Sequence, residues 1–412
     1  MRTDRGHVYA HPAVAGGGAR VPLLMLISDT GGGHRAAARA VSEALEAAYP
    51  GRFEAVLVDP LGGAGASKTL TFVTGLYGPS IRLAPWTWGA VYYAADSRLA
   101  MKIIRNTILK FAERPVVEAV DTHDPAAVIS FHPLVGKAAV AGGKRARVGT
   151  PVITVVTDLI TPHTAWRFDR VDTLVVPSAS VRWRCHLDGI GADRCLELGL
   201  PVSEPFTRGP LRSGAERNAL RARLGLRPDR FTVLLTGGGE GSGGLARRSA
   251  ALLKSGGDVD VVAICGRNRR LRSRLERLAI RSDGRLHVRG FVDNMADWLR
   301  ATDVVVTKAG PGTIAEATAC GAPLLLTSHV PGQEKGNTEF VVGAGAGSHV
   351  PGVDELVAEV RRLAADPGAL ETMRTAAVRL SRPQAASDIA RLIATSVGVT
   401  SDLAPLGRVA EA

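Results

Sequence analysis

A short apolar run that breaks into glycines and then into a helical pattern occurs twice in this chain, and few folds accommodate it. The first copy is Val21–Ser28 (VPLLMLIS), followed by Asp29-Thr30-Gly31-Gly32-Gly33 and the Ala-rich segment Arg35–Ala48. The second is Phe231–Thr236, followed by Gly237-Gly238-Gly239-Glu240-Gly241. Each reads as buried strand, glycine turn, helix. Further apolar runs follow the first copy at Phe53–Asp59, Ala126–Ser130, Val152–Thr157 and Thr173–Val176. Val259–Cys265, Leu286–Arg289, Val304–Thr307 and Pro323–Thr327 follow the second, with helical stretches such as Arg269–Ala279 between them. Strands alternating with helices imply parallel sheets covered on both faces.

A chain of 412 residues exceeds one ordinary core and suits two domains. The spacing predicts a tail over 1–20, a first Rossmann-like domain over 21–200 and a Pro- and Arg-containing linker over 201–230. A second Rossmann-like domain follows over 231–382. Helical segments fall at 353–365 and 369–380. The stretch 383–412 carries a last periodic segment, Ala385–Thr395, expected to fold back across the first domain. The fold class is α/β, with two doubly wound domains facing a central cleft. Open sheets of this kind bind ligands at the carboxyl ends of their strands, where both glycine loops fall.

The formal charge of +12 and pI near 10 admit nucleic acid, an anionic membrane surface or phosphorylated substrates as partners. Cys185, Cys195, Cys265 and Cys320 form no C-x-x-C pair and read as reduced, buried thiols. Residues 1–20 lack the apolar centre of a signal peptide, and no run of about 20 apolar residues predicts a bilayer span.

Five segments carry the chemistry. In SDTGGGHRAAA, Ser28–Ala38, Gly32 and Gly33 let the backbone approach a ligand, and His34 stands at the helix start. An imidazole there suits a general base for a hydroxyl; a phosphate loop with an incidental histidine is the alternative. In TKAGPGTIAEA, Thr307–Ala317, the turn Gly310-Pro311-Gly312 leads to Thr313 and a helix whose amides face a diphosphate. Glu316, one turn in, can accept both hydroxyls of a ribose or simply complement the helix dipole. PGQEKGN, Pro331–Asn337, places Gln333, Glu334 and Asn337 where they read sugar hydroxyls or cap a helix. The loop Gly237, Gly238, Gly239 and Gly241 lines the phosphate side. In GFVDNM, Phe291 offers a flat face to a base, Val292 its backbone and Met295 a neighbouring side chain, with core packing as the plain alternative.

In the first domain His132, in SFHP, and Asp158, His163 and Trp166, in VTDLITPHTAW, stand at strand ends and read as cleft lining. His34, His132 and His163 lack metal-ligand spacing. A stretch with Trp86, Trp88, Tyr92 and Tyr93 precedes Arg98, Lys102, Arg105 and Lys110. Aromatics beside a cationic helix face suit a membrane interface, or a core helix with a solvated basic side.

SDTGGGHRAAA, TKAGPGTIAEA and PGQEKGN in this order resemble glycosyltransferase family 28, and within it the monogalactosyldiacylglycerol synthases most closely. The resemblance covers roughly residues 21–345. It implies a metal-independent, inverting GT-B enzyme with no cofactor, taking galactose from UDP-galactose to diacylglycerol at an anionic membrane surface rather than acting on nucleic acid. His34 matches the family's candidate base and Glu316 its ribose-binding carboxylate. Gln333 and Glu334 match donor-sugar contacts, and Phe291 and Val292 the uracil side. The Gly237–Gly241 loop matches the phosphate side, and His163 and Trp166 a segment near the acceptor. The family's plant enzymes read closer to CHPTW where this chain has PHTAW, Pro162–Trp166. Alternatives are a UDP-N-acetylglucosamine-dependent transferase acting on a polyprenyl-linked sugar, a UDP-N-acetylglucosamine 2-epimerase-like enzyme, or a non-enzymatic UDP-sugar sensor. The expected location is the cytoplasmic face of the cell membrane, attached peripherally.

Overall fold

The structure is a computed structural model describing residues 18–28, 32–63, 65–67, 70–71, 75, 92–166, 170–239, 244–256, 258–330 and 332–399. The expected tail over 1–20 lies almost wholly outside these, as do Trp86, Trp88 and Gly241. The chain divides into two compact units, Met1–Glu204 with Gln384–Ala412, and Pro205–Pro383.

The first unit runs β1 (Val21–Leu26), α1 (Gly33–Ala48), β2 (Phe53–Val58), α2 (Arg98–Thr107) and α3 (Glu113–His123). It continues as β3 (Ala127–Ser130), α4 (Gly136–Arg145), β4 (Val152–Val155), β5 (Thr173–Val176), α5 (Ala179–Leu187) and β6 (Cys195–Glu197). Its six strands are parallel, in the order β2-β1-β3-β4-β5-β6. Side chains of β1 alternate between two apolar layers: Leu24 and Leu26 enter one, Leu23 and Met25 the other. A strand buried on both faces must read as an unbroken apolar run, as VPLLML does.

The second unit opens with α6 (Gly214–Leu224), β7 (Phe231–Thr236), α7 (Leu245–Lys254), β8 (Val259–Ile264), α8 (Arg269–Ala279) and β9 (Leu286–Arg289). There follow α9 (Met295–Ala301), β10 (Val304–Lys308), α10 (Pro311–Ala319), β11 (Leu324–Ser328), α11 (Lys335–Gly343) and β12 (Gly347–His349). Helices α12 (Val353–Ala365) and α13 (Pro367–Leu380) complete it. The strand order is β12-β11-β10-β7-β8-β9, all parallel, so the order reverses between β7 and β10. In the first sheet the reversal lies between β1 and β3.

The last helix, α14 (Ala385–Ser396), packs on α1, with Ile389 and Ile393 buried among Val41 and Leu45 of that helix.

Three features depart from the sequence reading. The stretch 201–230 is not an irregular linker, because it holds α6 and lies in the second unit from Pro205 onward. Ser213 caps α6 by accepting from the Glu216 amide at 3.2 Å, and Gly225, at φ 77°, ends it. Arg221 docks it, donating to Asp303 Oδ2 at 2.6 Å and to the Ala301 carbonyl at 2.8 Å. The two edge strands β6 and β12, three residues each, were not among the expected strands. Finally, α10 begins at Pro311, not Thr313, with proline at a helix start where its missing N–H costs nothing.

Candidate active site

In the first unit the polar residues gather at the β1/β3 reversal. Gly32, at φ 79°, precedes α1 in a left-handed conformation that a side chain would strain. Gly33 is the first residue of α1, and His34 follows in its first turn. Beside His34 lies His132, just beyond β3, with ring centroids 4.5 Å apart and edge to face. Thr157, just beyond β4, places its hydroxyl oxygen 2.9 Å from His34 Nδ1. Loss of solvent pushes the His34 pKa down to about 4, opposed by a hydrogen bond with the Phe131 backbone. His34 is therefore a neutral imidazole near pH 7. Burial, and to a lesser degree His34, hold His132 well below the usual histidine range.

Around this pair, Trp166 donates its indole N–H to Asp158 Oδ2 at 2.7 Å, both side chains being buried. The Trp166 ring lies 6.1 Å from that of His34. His163 packs its ring on Tyr92 at 4.6 Å and takes the Ala165 amide on Nδ1 at 3.0 Å. Asp96 Oδ1 accepts from both the amide and the hydroxyl of Thr164. Asp158, His163 and Trp166, expected as lining, are thus buried and hydrogen-bonded, and Trp166 is the one whose ring lies near His34.

Helix α2 divides the expected cationic face. Arg105 turns inward and donates to the Thr164 and Ala165 carbonyls at 3.3 and 3.2 Å, so it braces the loop rather than facing outward. Lys102 is exposed, and the Arg98 side chain lies outside the described set. The exposed face mixes Leu99, at 70% exposure, and Ile103, at 56%, with Lys102, Asn106 and Thr107, and Phe111 is exposed just beyond the helix. Among the described residues, no helix is long and apolar enough to cross a membrane.

In the second unit the residues gather at the β7/β10 reversal. The glycine loop follows β7, with Gly238 at φ 70°. It is pinned by the loop after β8: Arg267 N donates to the Gly239 carbonyl at 2.9 Å. Gly266 packs so closely that a Cβ there would stand 2.3 Å from the same oxygen. After β10, Gly310 precedes Pro311, and Gly312 and Thr313 complete the first turn of α10. Glu316 is half-buried, and its carboxylate has no hydrogen bond or ion pair among the described residues. Burial alone pushes its carboxyl up to about 7. Asn337 is buried, donating from Nδ2 to the Ala309 carbonyl at 2.9 Å, while its Oδ1 has no hydrogen-bond partner among the described residues. Gln333 lies in the turn before α11.

Phe291 is not a core residue. It is 58% exposed, with the Arg267 guanidinium 5.2 Å from its ring centre. Val292 and Met295 beside it are half-buried. Glu334 is only 4% exposed, and both its oxygens are engaged, Oε1 with Lys308 Nζ at 2.5 Å and Oε2 with the Val330 amide at 2.8 Å. Sequence reasoning missed Thr157, Gly266, Arg267 and Lys308. Lys308 stood in the TKAGPG motif, and its position at a strand end was the available signal.

Two family models match the chain. The "Monogalactosyldiacylglycerol (MGDG) synthase" model matches residues 34–202, and the "Glycosyltransferase family 28 C-terminal domain" model residues 232–391. The rice protein "Probable monogalactosyldiacylglycerol synthase 2, chloroplastic" (Oryza sativa subsp. indica) is 34% identical over 90% of this chain and 79% of its own. Monogalactosyldiacylglycerol synthase 3 of Arabidopsis thaliana is 32% identical over 90% of this chain and 80% of its own. The chain belongs to the monogalactosyldiacylglycerol synthase family. It is a glycosyltransferase of family 28. The fold is GT-B. MurG of Acinetobacter baumannii matches with a TM-score of 0.59 at 17% identity, over 91% of this chain and 99% of that one. A UDP-GlcNAc 2-epimerase of Neisseria meningitidis, solved with UDP-GlcNAc bound, gives 0.58 at 14% identity, over 92% and 99%. At such identities these two structures bear on fold alone.

Proposed function

We propose that this family 28 glycosyltransferase moves a hexose, galactose or glucose, from a UDP-sugar to the free hydroxyl of diacylglycerol, inverting the anomeric centre at a membrane surface. The observation that carries the reading is His34, a neutral imidazole at the β1/β3 reversal with Thr157 on its Nδ1. With the Nδ1 proton given to Thr157, Nε2 is the acceptor for the hydroxyl proton. The acceptor oxygen then attacks the anomeric carbon from the face opposite UDP. The bond to the diphosphate breaks and its electron pair leaves with UDP, so an α-linked donor gives a β-glycoside.

The second unit is read as the donor site. The amides at the start of α10 and the Gly237–Gly239 loop take the diphosphate, and Glu316 takes the ribose hydroxyls. Phe291 offers its open face to uracil, and Gln333 and Asn337 serve the sugar. Fixed backbone dipoles supply this stabilisation without a bound metal ion. Peripheral attachment at the cytoplasmic membrane face rests on the apolar residues that α2 turns outward beside Lys102.

The test is incubation with radiolabelled UDP-galactose, UDP-glucose or UDP-N-acetylglucosamine and diacylglycerol liposomes, followed by separation of the lipids. A labelled β-hexosyl diacylglycerol is expected. Label in no glycerolipid, with any donor, sinks the reading.

A further inference from the structure

We infer that Lys308 and Arg248 form a cationic seat for the distal phosphate of the donor diphosphate, and that Glu334 is the positioning residue that aims Lys308. This rests on the second unit being the UDP site. Lys308 ends β10 at the point where the strand order reverses, and the pairing with β11 shifts register between Thr307 and Lys308. A shift of this kind re-aims a side chain at a strand end. The ammonium is then fixed by Glu334, itself held by the Val330 amide. An ammonium has three protons to donate, and Glu334 is its sole partner among the described residues, so two remain. Gly310, which caps α10, lies against the pair: a Cβ there would stand 3.3 Å from Nζ. The cation and the helix start therefore address one place.

A small cavity opens beside them, lined by Thr236, Leu245, Arg248, Thr307, Lys308 and Thr327. Two cations and no carboxylate are among its lining residues. Arg248, in α7, is held to the Pro351 carbonyl at 3.1 Å. Thr307 is 2% exposed, and its hydroxyl has no hydrogen-bond partner among the described residues. A buried hydroxyl that lines the same cavity as two cations suits an anionic oxygen ligand. Charge develops on the diphosphate as the sugar bond breaks. Fixed cations where that charge appears add to what the backbone amides of the α10 start supply.

The measurement is titration calorimetry of the full chain with UMP and with UDP, which differ only in the distal phosphate. Neither carries the transferred hexose, and both carry the same ribose, so contacts to either sugar do not separate them. Lys308→Met alone strands a buried carboxylate and endangers folding. Lys308→Met combined with Glu334→Gln avoids that, and thermal melting checks both. Wild type is expected to prefer UDP over UMP. The double variant and Arg248→Met should each lose about tenfold to a hundredfold in UDP affinity, with UMP affinity nearly unchanged. Lys308→Arg should restore part of the loss. Glu334→Gln alone, which keeps the lysine, should weaken UDP but not UMP. A folded double variant with the wild-type preference for UDP overturns the inference and leaves the donor site standing. Wild-type protein that binds neither nucleotide overturns both.

Discussion

His34 and Glu316 are half-buried titratable groups shifted in opposite senses, and the shifts have separate consequences. Burial lowers the His34 pKa to about 4 from the ordinary 6.5. The unfolded chain therefore takes up a proton that the folded site refuses, and stability falls as pH drops from 6.5 through 4. Over the same range the neutral base persists, so the acid limb of kcat/KM should lie well below pH 6. His34→Ala should leave UDP affinity intact and reduce turnover by about 10² or more. Wild-type turnover in that variant would remove the histidine from its role. Burial raises Glu316 from 4.5 to about 7. Its folded form keeps a proton that the unfolded chain releases, so this contribution to stability declines as pH rises from 4.5 through 7. Ribose hydroxyls favour the ionised carboxylate. UDP affinity should thus improve about tenfold per unit as pH approaches 7 from below, then level off. Glu316→Gln should flatten that profile; a profile unchanged by the substitution would mean that the carboxylate does not grip the ligand. Both residues stood out in the sequence because each follows a glycine turn. Their supports did not. Thr157 lies 123 positions from His34 and Glu334 lies 26 from Lys308, and no local pattern encodes such pairings.

At the scale of elements, α2 reverses the usual pattern of a surface helix. Met101 is buried and Arg105 is turned inward to two carbonyls, whereas Leu99 and Ile103, one turn apart, are exposed with Lys102 beside them. An apolar stripe flanked by lysine fits an interface where acyl chains meet anionic headgroups. Replacing Leu99 and Ile103 together by Gln should cut binding to anionic vesicles several-fold without lowering the melting temperature, because neither side chain is in the core. Added salt should weaken wild-type binding only in part, since the apolar contribution is unscreened. Sedimentation with vesicles tests this, and equal binding by the double variant would exclude the helix as a docking element. The sequence reading located this region by its charges and aromatics, but assigned Arg105 to the wrong side. A periodicity in basic residues cannot distinguish a guanidinium facing lipid from one satisfying buried carbonyls. The strands were legible for the opposite reason: those buried on both faces are nearly all apolar. Helix α6 was missed because it docks through Arg221, a residue that sequence patterns count as surface.

The whole molecule is threaded so that its first unit is finished last. The chain builds six strands, leaves to form all of residues 205–383, and returns with α14. That helix closes the apolar layer over α1, where Ile389 and Ile393 are fully buried. Since α1 begins with Gly33 and His34, the segment farthest along the chain supports the helix carrying the base. Ile393→Ala removes three methyl-sized groups from a closed layer and should cost about 2–5 kcal/mol of first-unit stability. The second unit has its own core, in which no residue of α14 takes part. The variant should therefore melt in two resolved steps, the lower one shifted down, while calorimetry gives UDP affinity within about twofold of wild type. Transferase turnover should fall at temperatures where the first step has begun and recover on cooling. Parallel loss of UDP binding and turnover would show that the two cores unfold as one, and the return of the chain would then be a requirement of the whole fold rather than of the base-bearing half.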